Sequence, residues 1–276
     1  MMRKVILSCL LIAGLNVVAE KKGHLGERIQ GKKPSLMWSK GLMIGKVGDY
    51  ERRGFIFKTQ EAKMQLGDFS QENQSGKKNY VPREEDISFA SEEAKEQMKL
   101  LDLSETVVLE YKKLHPFNIF RLHDSPKMAL SIRSLQSFEE TESFELYGKE
   151  LQFERGRERG KYGEGKKSGK IVSVNRWGIF TGYACSVEVH LGGTKKERRV
   201  TGYRRVGRGD YATDVPIYST FEVPNIDIMN TYDEAGCRFL EDVLVSQSSV
   251  ELETRTSWFE IWNSYATTIT SAKIIQ

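Results

Sequence analysis

The chain has 276 residues, 39% of them hydrophobic and 29% charged, a length that allows one large domain or two small ones. Setting aside the first 19 residues removes Arg3 and Lys4 and leaves 40 basic against 38 acidic side chains, so the formal +4 shrinks to about +2. A protein-wide field that attracts nucleic acid is thereby excluded, and any electrostatic attraction has to come from local patches.

The first element is a secretory leader, residues 1–19. Arg3 and Lys4 precede an apolar run from Val5 to Leu15, and Val17 and Ala19 occupy the small-residue positions before Glu20. Cleavage after Ala19 and export to the periplasm or cell envelope are the expectation. The run is about 11 residues, short of the roughly 20 that span a bilayer, and no later stretch reaches that length, so no transmembrane segment is expected. Cys9 lies inside the run rather than at its end, which argues against lipidation. A polar leader, residues 20–37, follows. The two remaining cysteines, Cys185 and Cys237, would be in a compartment that permits a disulfide, with two separate buried thiols as the alternative.

From residue 38 the chain reads as two copies of one unit, 38–137 and 166–276, separated by a hairpin and basic glycine-rich linker over 138–165. Gly45 aligns with Gly169, Lys46 with Lys170 and Gly54 with Gly178 at one offset, and after one inserted residue Leu66 and Gly67 align with Leu191 and Gly192. Val187, Val189 and Leu191 alternate with Ser186, Glu188 and His190, and Val250 and Leu252 alternate with charged neighbours, the pattern of half-buried antiparallel strands. Gly54 and Gly178 are placed where a long strand would bend at a barrel corner.

Each unit has one short helix. In the first, Ser91 caps, Glu92 and Glu93 favour the start, and Ala94, Met98 and Leu101 form the apolar stripe. In the second, Thr231 and Glu234 read as a capping box, with Ala235, Phe239, Val243 and Leu244 as the apolar face. Strands, then a helix, then two more strands in about 100 residues give the fold class: mainly β, two tandem OB-fold-like small barrels.

The stretch "GKVGDYERRGFIFKTQEAKMQLG" resembles the shared segment of a group of small exported bacterial proteins, G-x-V-x-x-[FY]-S-x-[KR]-G-x-[IL]-x-K-T-x-E-G-x-L. Gly45, Val47, Tyr50, Arg53, Gly54, Ile56, Lys58, Thr59 and Glu61 match, while Glu51, Ala62 and Met64 depart from it. The second copy is more distant, with Thr181, Gly182 and Tyr183 near the Lys-Thr pair. The resemblance implies an OB-like fold and export; the group has no established activity, so it implies no catalytic residue.

The chemistry-bearing patterns resolve mostly into structure. Gly160, Gly165 and Lys166 have nearly phosphate-loop spacing, but Lys167 stands where a magnesium-binding hydroxyl is required and a β pattern follows where a helix is required, so a flexible linker is the reading. His24, His115, His123 and His190 have no ligand spacing, and no metal or cofactor is expected. Lys58, Thr59 and Glu61 cannot converge on a strand, because Lys58 and Thr59 face opposite sides. No catalytic residue is assigned, and the chain is not read as an enzyme.

Two features point to binding. In the segment 194–214, Lys195, Lys196, Arg198, Arg199, Arg204, Arg205 and Arg208 are interleaved with Tyr203 and Tyr211, the composition of a groove in which charge tracks an anionic polymer and rings stack. Trp258 and Trp262 share one face of a strand, as core or, if exposed, as an anchor for a partner. The functional expectation is a non-enzymatic exported protein-interaction or structural protein, a subunit of an envelope assembly such as a periplasmic flagellar sheath. The alternatives are binding of an anionic glycan or nucleic acid through the basic hairpin, with export arguing against nucleic acid, and a hydrolase of unrecognised type.

Overall fold

A computed structural model describes residues 38–53, 59–66, 80–89, 91–102, 104–114, 125–135, 148–153, 161–179, 182–207, 213–257 and 267–275. Residues 1–37, which the expected export leader and polar leader occupy, and Gly54, Lys58, His115, His123, Arg208, Tyr211, Trp258 and Trp262 lie outside them. In chain order the elements are β1 (Trp38–Arg53), β2 (Thr59–Leu66), β3 (Arg83–Phe89), α1 (Glu92–Leu100), β4 (Thr106–Leu114), β5 (Lys127–Ser134), β6 (Glu150–Gln152), β7 (Lys161–Ile179), β8 (Gly182–Val206), β9 (Thr213–Thr231), α2 (Glu234–Ser246), β10 (Ser249–Ser257) and β11 (Thr267–Ile275).

The strand pairings close two barrels. β1 pairs with β2, β2 with β3, β3 with β5, β5 with β4 and β4 again with β1, all antiparallel except β3 with β5. The second cycle runs β7, β8, β9, β11, β10 and back to β7, and its β9–β11 contact is the parallel one. In chain order a helix follows the third strand of each barrel, between β3 and β4 and between β9 and β10, which makes both of them OB-type barrels. β6 runs along the edge of β11, with Gln152 opposite Ser271.

The first strand of each barrel is long because its two halves pair with different neighbours, one on each edge: β1 with β4 and then β2, β7 with β10 and then β8. Gly45 faces Val107 of β4 and Leu66 of β2, at the place where β1 changes partner. A Cβ there would lie 2.1 Å from the Gln65 carbonyl oxygen, and one at Gly169 would lie 2.2 Å from the carbonyl oxygen of His190. Only glycine tolerates that approach, so the corner residues are Gly45 and Gly169. Gly178, expected at the corner, instead faces Tyr183 near the end of the β7–β8 hairpin. Gly45→Ala or Gly169→Ala is expected to cost about 1–3 kcal/mol or more through forced backbone shifts. Gly163→Ala, whose Cβ meets nothing within 4 Å, should be nearly neutral. Urea titrations of the three variants check this, and equal midpoints would remove the corner role.

β1 and β7 also pair with each other, Lys40 with Arg176 through Met43 with Ser173, so a single sheet passes from one barrel into the next. Cross-strand partners share a face. The side of β1 that lines its own barrel, with Met43 opposite Leu109, continues as the outer side of β7 at Ser173. The outer side of β1 continues into the lining of the second barrel, Leu42 beside Val174. Both faces of β1 are therefore covered, and Leu42, Met43 and Ile44 are each 0% exposed. Charged side chains support the junction: Lys127 lies 2.7 Å and Arg83 3.0 Å from Glu85, and Arg83 lies 3.6 Å from Glu188 on β8. Burial pushes the Glu188 carboxyl above its ordinary range against the pull of Lys127 and Arg83.

α1 is capped by Ser91, whose side chain accepts from the Ala94 amide, and it buries Ala94 and Met98. α2 departs from expectation. Thr231 is still part of β9, opposite Cys185, and cannot cap. The cap is Asp233, accepting from the Ala235 amide at 2.8 Å, while Thr231 Oγ1 accepts from the Asp233 amide at 3.2 Å. The buried face differs in part as well: Val243 and Leu244 are buried as expected together with Cys237 and Leu240, whereas Ala235 is exposed and Phe239 half-buried. Two ties hold it to the barrel side by side. Cys185 and Cys237 form a disulfide with Cα atoms 6.1 Å apart. Next to it, the Arg176 guanidinium donates twice to the Glu241 carboxylate, with the side chains 4% and 1% exposed.

The expected flexible linker ends sooner than its composition suggests. Residues 161–165 already belong to β7 and pair with β10, Gly163 with Thr256 and Gly165 with Thr254. Lys166 and Lys167 are held by carboxylates across the sheet, Lys166 by Glu253 at 2.9 Å and Glu251 at 3.4 Å, and Lys167 by Asp227. Glycine and lysine content does not prevent pairing when a bent first strand needs small residues and its neighbours supply the opposite charge. Among the described residues no helix is long and apolar enough to cross a membrane.

Candidate functional site

The basic segment forms an arm. β8 and β9 pair within the second barrel as far as His190 and Ile226, then continue as a two-stranded ribbon from Thr194 opposite Pro224 to Val206 opposite Thr213. At 3.3 Å per residue the ribbon extends about 40 Å. Its root is a bulge built on Gly192 and Gly193, at φ 87° and 65°, a left-handed backbone that suits glycine. Ring nitrogen Nε2 of His190 lies 3.2 Å from the Gly193 carbonyl oxygen, the Lys195 ammonium donates to the Ile226 carbonyl at 3.0 Å, and the Val81 amide donates to the Glu222 carbonyl at 2.9 Å. The arm is thus braced by the first barrel as well as the second.

The register sorts the arm into two faces, because side chains alternate along a strand. One face has Lys196, Arg198, Val200, Tyr203 and Arg205 opposite Glu222, Thr220, Tyr218, Pro216 and Asp214. The other has Lys195, Glu197, Arg199, Gly202, Arg204 and Val206 opposite Val223, Phe221, Ser219, Ile217, Val215 and Thr213. Thr201 is the extra residue at a second bulge, and its hydroxyl lies 3.1 Å from that of Ser219. The sequence reading had all these cations in one groove; the period of two divides them, with Lys196, Arg198 and Arg205 beside Tyr203 and with Lys195, Arg199 and Arg204 on the reverse.

On the first face the Arg198 guanidinium lies 4.1 Å from the centre of the Tyr218 ring, a cation stacked on an aromatic plane. Tyr203 is 68% exposed. On the second, Arg199 pairs with Glu197 at 3.0 Å, and that hydrogen bond holds the Glu197 carboxyl below its ordinary range. Val206, Val215 and Ile217 are exposed there. Tyr218, Ile217 and Val215 belong to the returning strand and escaped the sequence reading, which stopped at Asp214. Their signal was the alternation in "TDVPIYSTFEVP", obscured by Pro216 and Pro224, which a two-stranded ribbon tolerates on its outer edges.

Of the Lys58, Thr59 and Glu61 set, Lys58 and the Thr59 side chain lie outside the described residues. Glu61 is buried and accepts from the Ser88 hydroxyl at 2.6 and 2.7 Å, and Ser88 in turn accepts from the Ser125 amide at 3.2 Å, a structural network at the edge of the first barrel. Among the described residues no group of three His, Cys, Asp or Glu side chains is placed to hold a metal ion.

No family model matches the chain, and no curated protein matches it. Solved structures similar to it include the wild-type single-stranded DNA binding protein from Thermus aquaticus, at 11% identity and a TM-score of 0.22, covering 84% of this chain and 88% of that one. A deletion mutant of the same Thermus aquaticus protein is similar at 10% identity and a TM-score of 0.23, covering 85% and 92%. Scores this low leave the OB-type fold to be read from the strand pairings themselves.

Proposed function

We propose that the chain is a non-enzymatic exported protein of the periplasm or cell envelope, and that the β8–β9 arm holds it to an acidic partner surface in a larger assembly. The observation that carries this reading is the distribution of exposed apolar side chains. Among the described residues the large ones are Leu100 and six on the arm, namely Val200, Tyr203, Val206, Val215, Ile217 and Tyr218. An apolar surface interleaved with cations is costly to leave in water and is the composition of a contact awaiting a partner. Export, the tandem duplication and the resemblance to small exported proteins belong to the same proposal.

Affinity capture from the native envelope tests it, with the mature chain and a variant in which Lys195–Val223 is replaced by a short turn. The expected result is a retained partner that the shortened variant loses. An identical retained set for both would overturn the role of the arm.

Arg198 stacked on Tyr218 favours a second reading, in which the arm binds an anionic polymer. Titration with a sulfated glycan and with a single-stranded oligonucleotide separates the two, since arm chemistry alone does not distinguish phosphate from sulfate. Binding that weakens steeply with added salt supports a polymer ligand; absence of binding at low salt removes it.

A further inference from the structure

The first barrel carries the charge complement of the arm. On β2 and β3 the inward positions are Ala62, Met64 and Leu66 with Ile87 and Phe89, and all five are buried. The register places Glu61 beside Ser88, Lys63 beside Asp86 and Gln65 beside Glu84 on the outer side, and β1 adds Glu51 opposite Glu61 and Lys46 opposite Gln65. Glu61 is buried against Ser88, so the accessible charges are the exposed carboxylates of Glu51, Glu84 and Asp86 against the half-buried Lys46 and Lys63, with Lys63 3.4 Å from Glu84, and the strip keeps a net acidic charge. The arm has six cations, Lys195, Lys196, Arg198, Arg199, Arg204 and Arg205, against Glu197, Asp214 and Glu222, an excess of three positive charges over residues 194–206 and 213–224.

We infer that the arm of one copy docks on the outer face of β2 and β3 of the next copy, so that the chain assembles head to tail. The inference rests on the arm being the binding element, and names a second copy as its partner. Three observations select this arrangement. The arm does not cover the strip of its own chain, since Glu84, Asp86, Tyr203 and Tyr218 are all exposed. Two arms facing each other would bring like charges together, which disfavours a two-fold contact through the arms. Outside the arm the one large apolar side chain exposed among the described residues is Leu100, 87% exposed, and it belongs to the first barrel. Donor and acceptor are different surfaces, so the contact is heterologous and joins copies into an open chain or a closed ring. One face of a ribbon about 40 Å long and about 10 Å wide buries about 400 Å² per partner, roughly half of a standard interface, so the association is weak, transient and salt-dependent.

Sedimentation or light scattering on the mature full chain tests this at high protein concentration, at low and at raised ionic strength. The wild type should grow beyond monomer mass at low ionic strength and return to monomer when salt is added. Arg198→Glu with Arg205→Glu should stay monomeric, and so should Glu84→Lys with Asp86→Lys. Mixing these two variants, or combining all four substitutions in one chain, restores opposite charges and should restore assembly. That recovery also demonstrates that the variants are folded. A wild type that is monomeric throughout, or a mixture that stays monomeric, overturns head-to-tail docking. If arm-dependent capture of another protein persists while the wild type is monomeric, only this inference fails; if capture also ceases to depend on the arm, the reading of the arm fails with it.

Discussion

Glu241→Ala should destabilise the protein by about 3–5 kcal/mol, the largest effect expected of any single substitution, because it leaves the Arg176 guanidinium buried without its counter-charge. Burial pushes the Glu241 carboxyl up while Arg176 pulls it down, so desolvation and attraction already oppose each other in the native pair. The pair as a whole is therefore worth much less than the damage from breaking it. Replacing both partners, Arg176→Met with Glu241→Leu, should recover most of the loss, since two apolar side chains of similar volume have no charge to desolvate. Urea unfolding of the two single variants and the double variant measures the coupling. A double variant as unstable as Glu241→Ala would mean that packing around α2, rather than the orphaned charge, sets the cost.

The second large effect concerns the disulfide. Cys185 and Cys237 are 52 residues apart, and closing a loop of that size restricts the unfolded chain by about 4 kcal/mol in the chain-entropy treatment. Cys185→Ala with Cys237→Ala is expected to lose about 2–4 kcal/mol, which for a chain of this size lowers the unfolding midpoint by roughly 5–15 °C. Thermal unfolding of the wild type in reductant should fall to nearly the same midpoint as the double variant. A midpoint unchanged by either treatment would mean that the bridge does not form in solution. Both ties join α2 to neighbouring residues of β7 and β8, Arg176 standing opposite Cys185, so their effects should not add.

The strands of each barrel were legible wherever one face meets the core and the other meets water. Val187 and Val189 are buried, and so are Val250 and Leu252, in the alternation read from sequence. The rule failed where both faces are covered. Leu42, Met43 and Ile44 form an unbroken apolar run because β1 lines one barrel and presses against the other, and no local period encodes a neighbour more than 120 residues away in the chain. The α2 cap was misplaced for a related reason: Thr231 has the chemistry of a cap, but its backbone is already committed to β8. In the arm, composition located the cations and the aromatics, yet their division into two faces depends on a bulge at Thr201 and on a partner strand whose register only the fold supplies.

The ladder between β1 and β7 has a mechanical meaning. Backbone hydrogen bonds, rather than a linker, set the angle between the barrel that carries the acidic strip and the barrel that carries the arm. A swivelling joint would let successive copies meet at any angle and would give tangled chains. A welded joint repeats one rotation and one translation at every step, so copies joined through the arm would form a regular screw, or a closed ring where the translation vanishes.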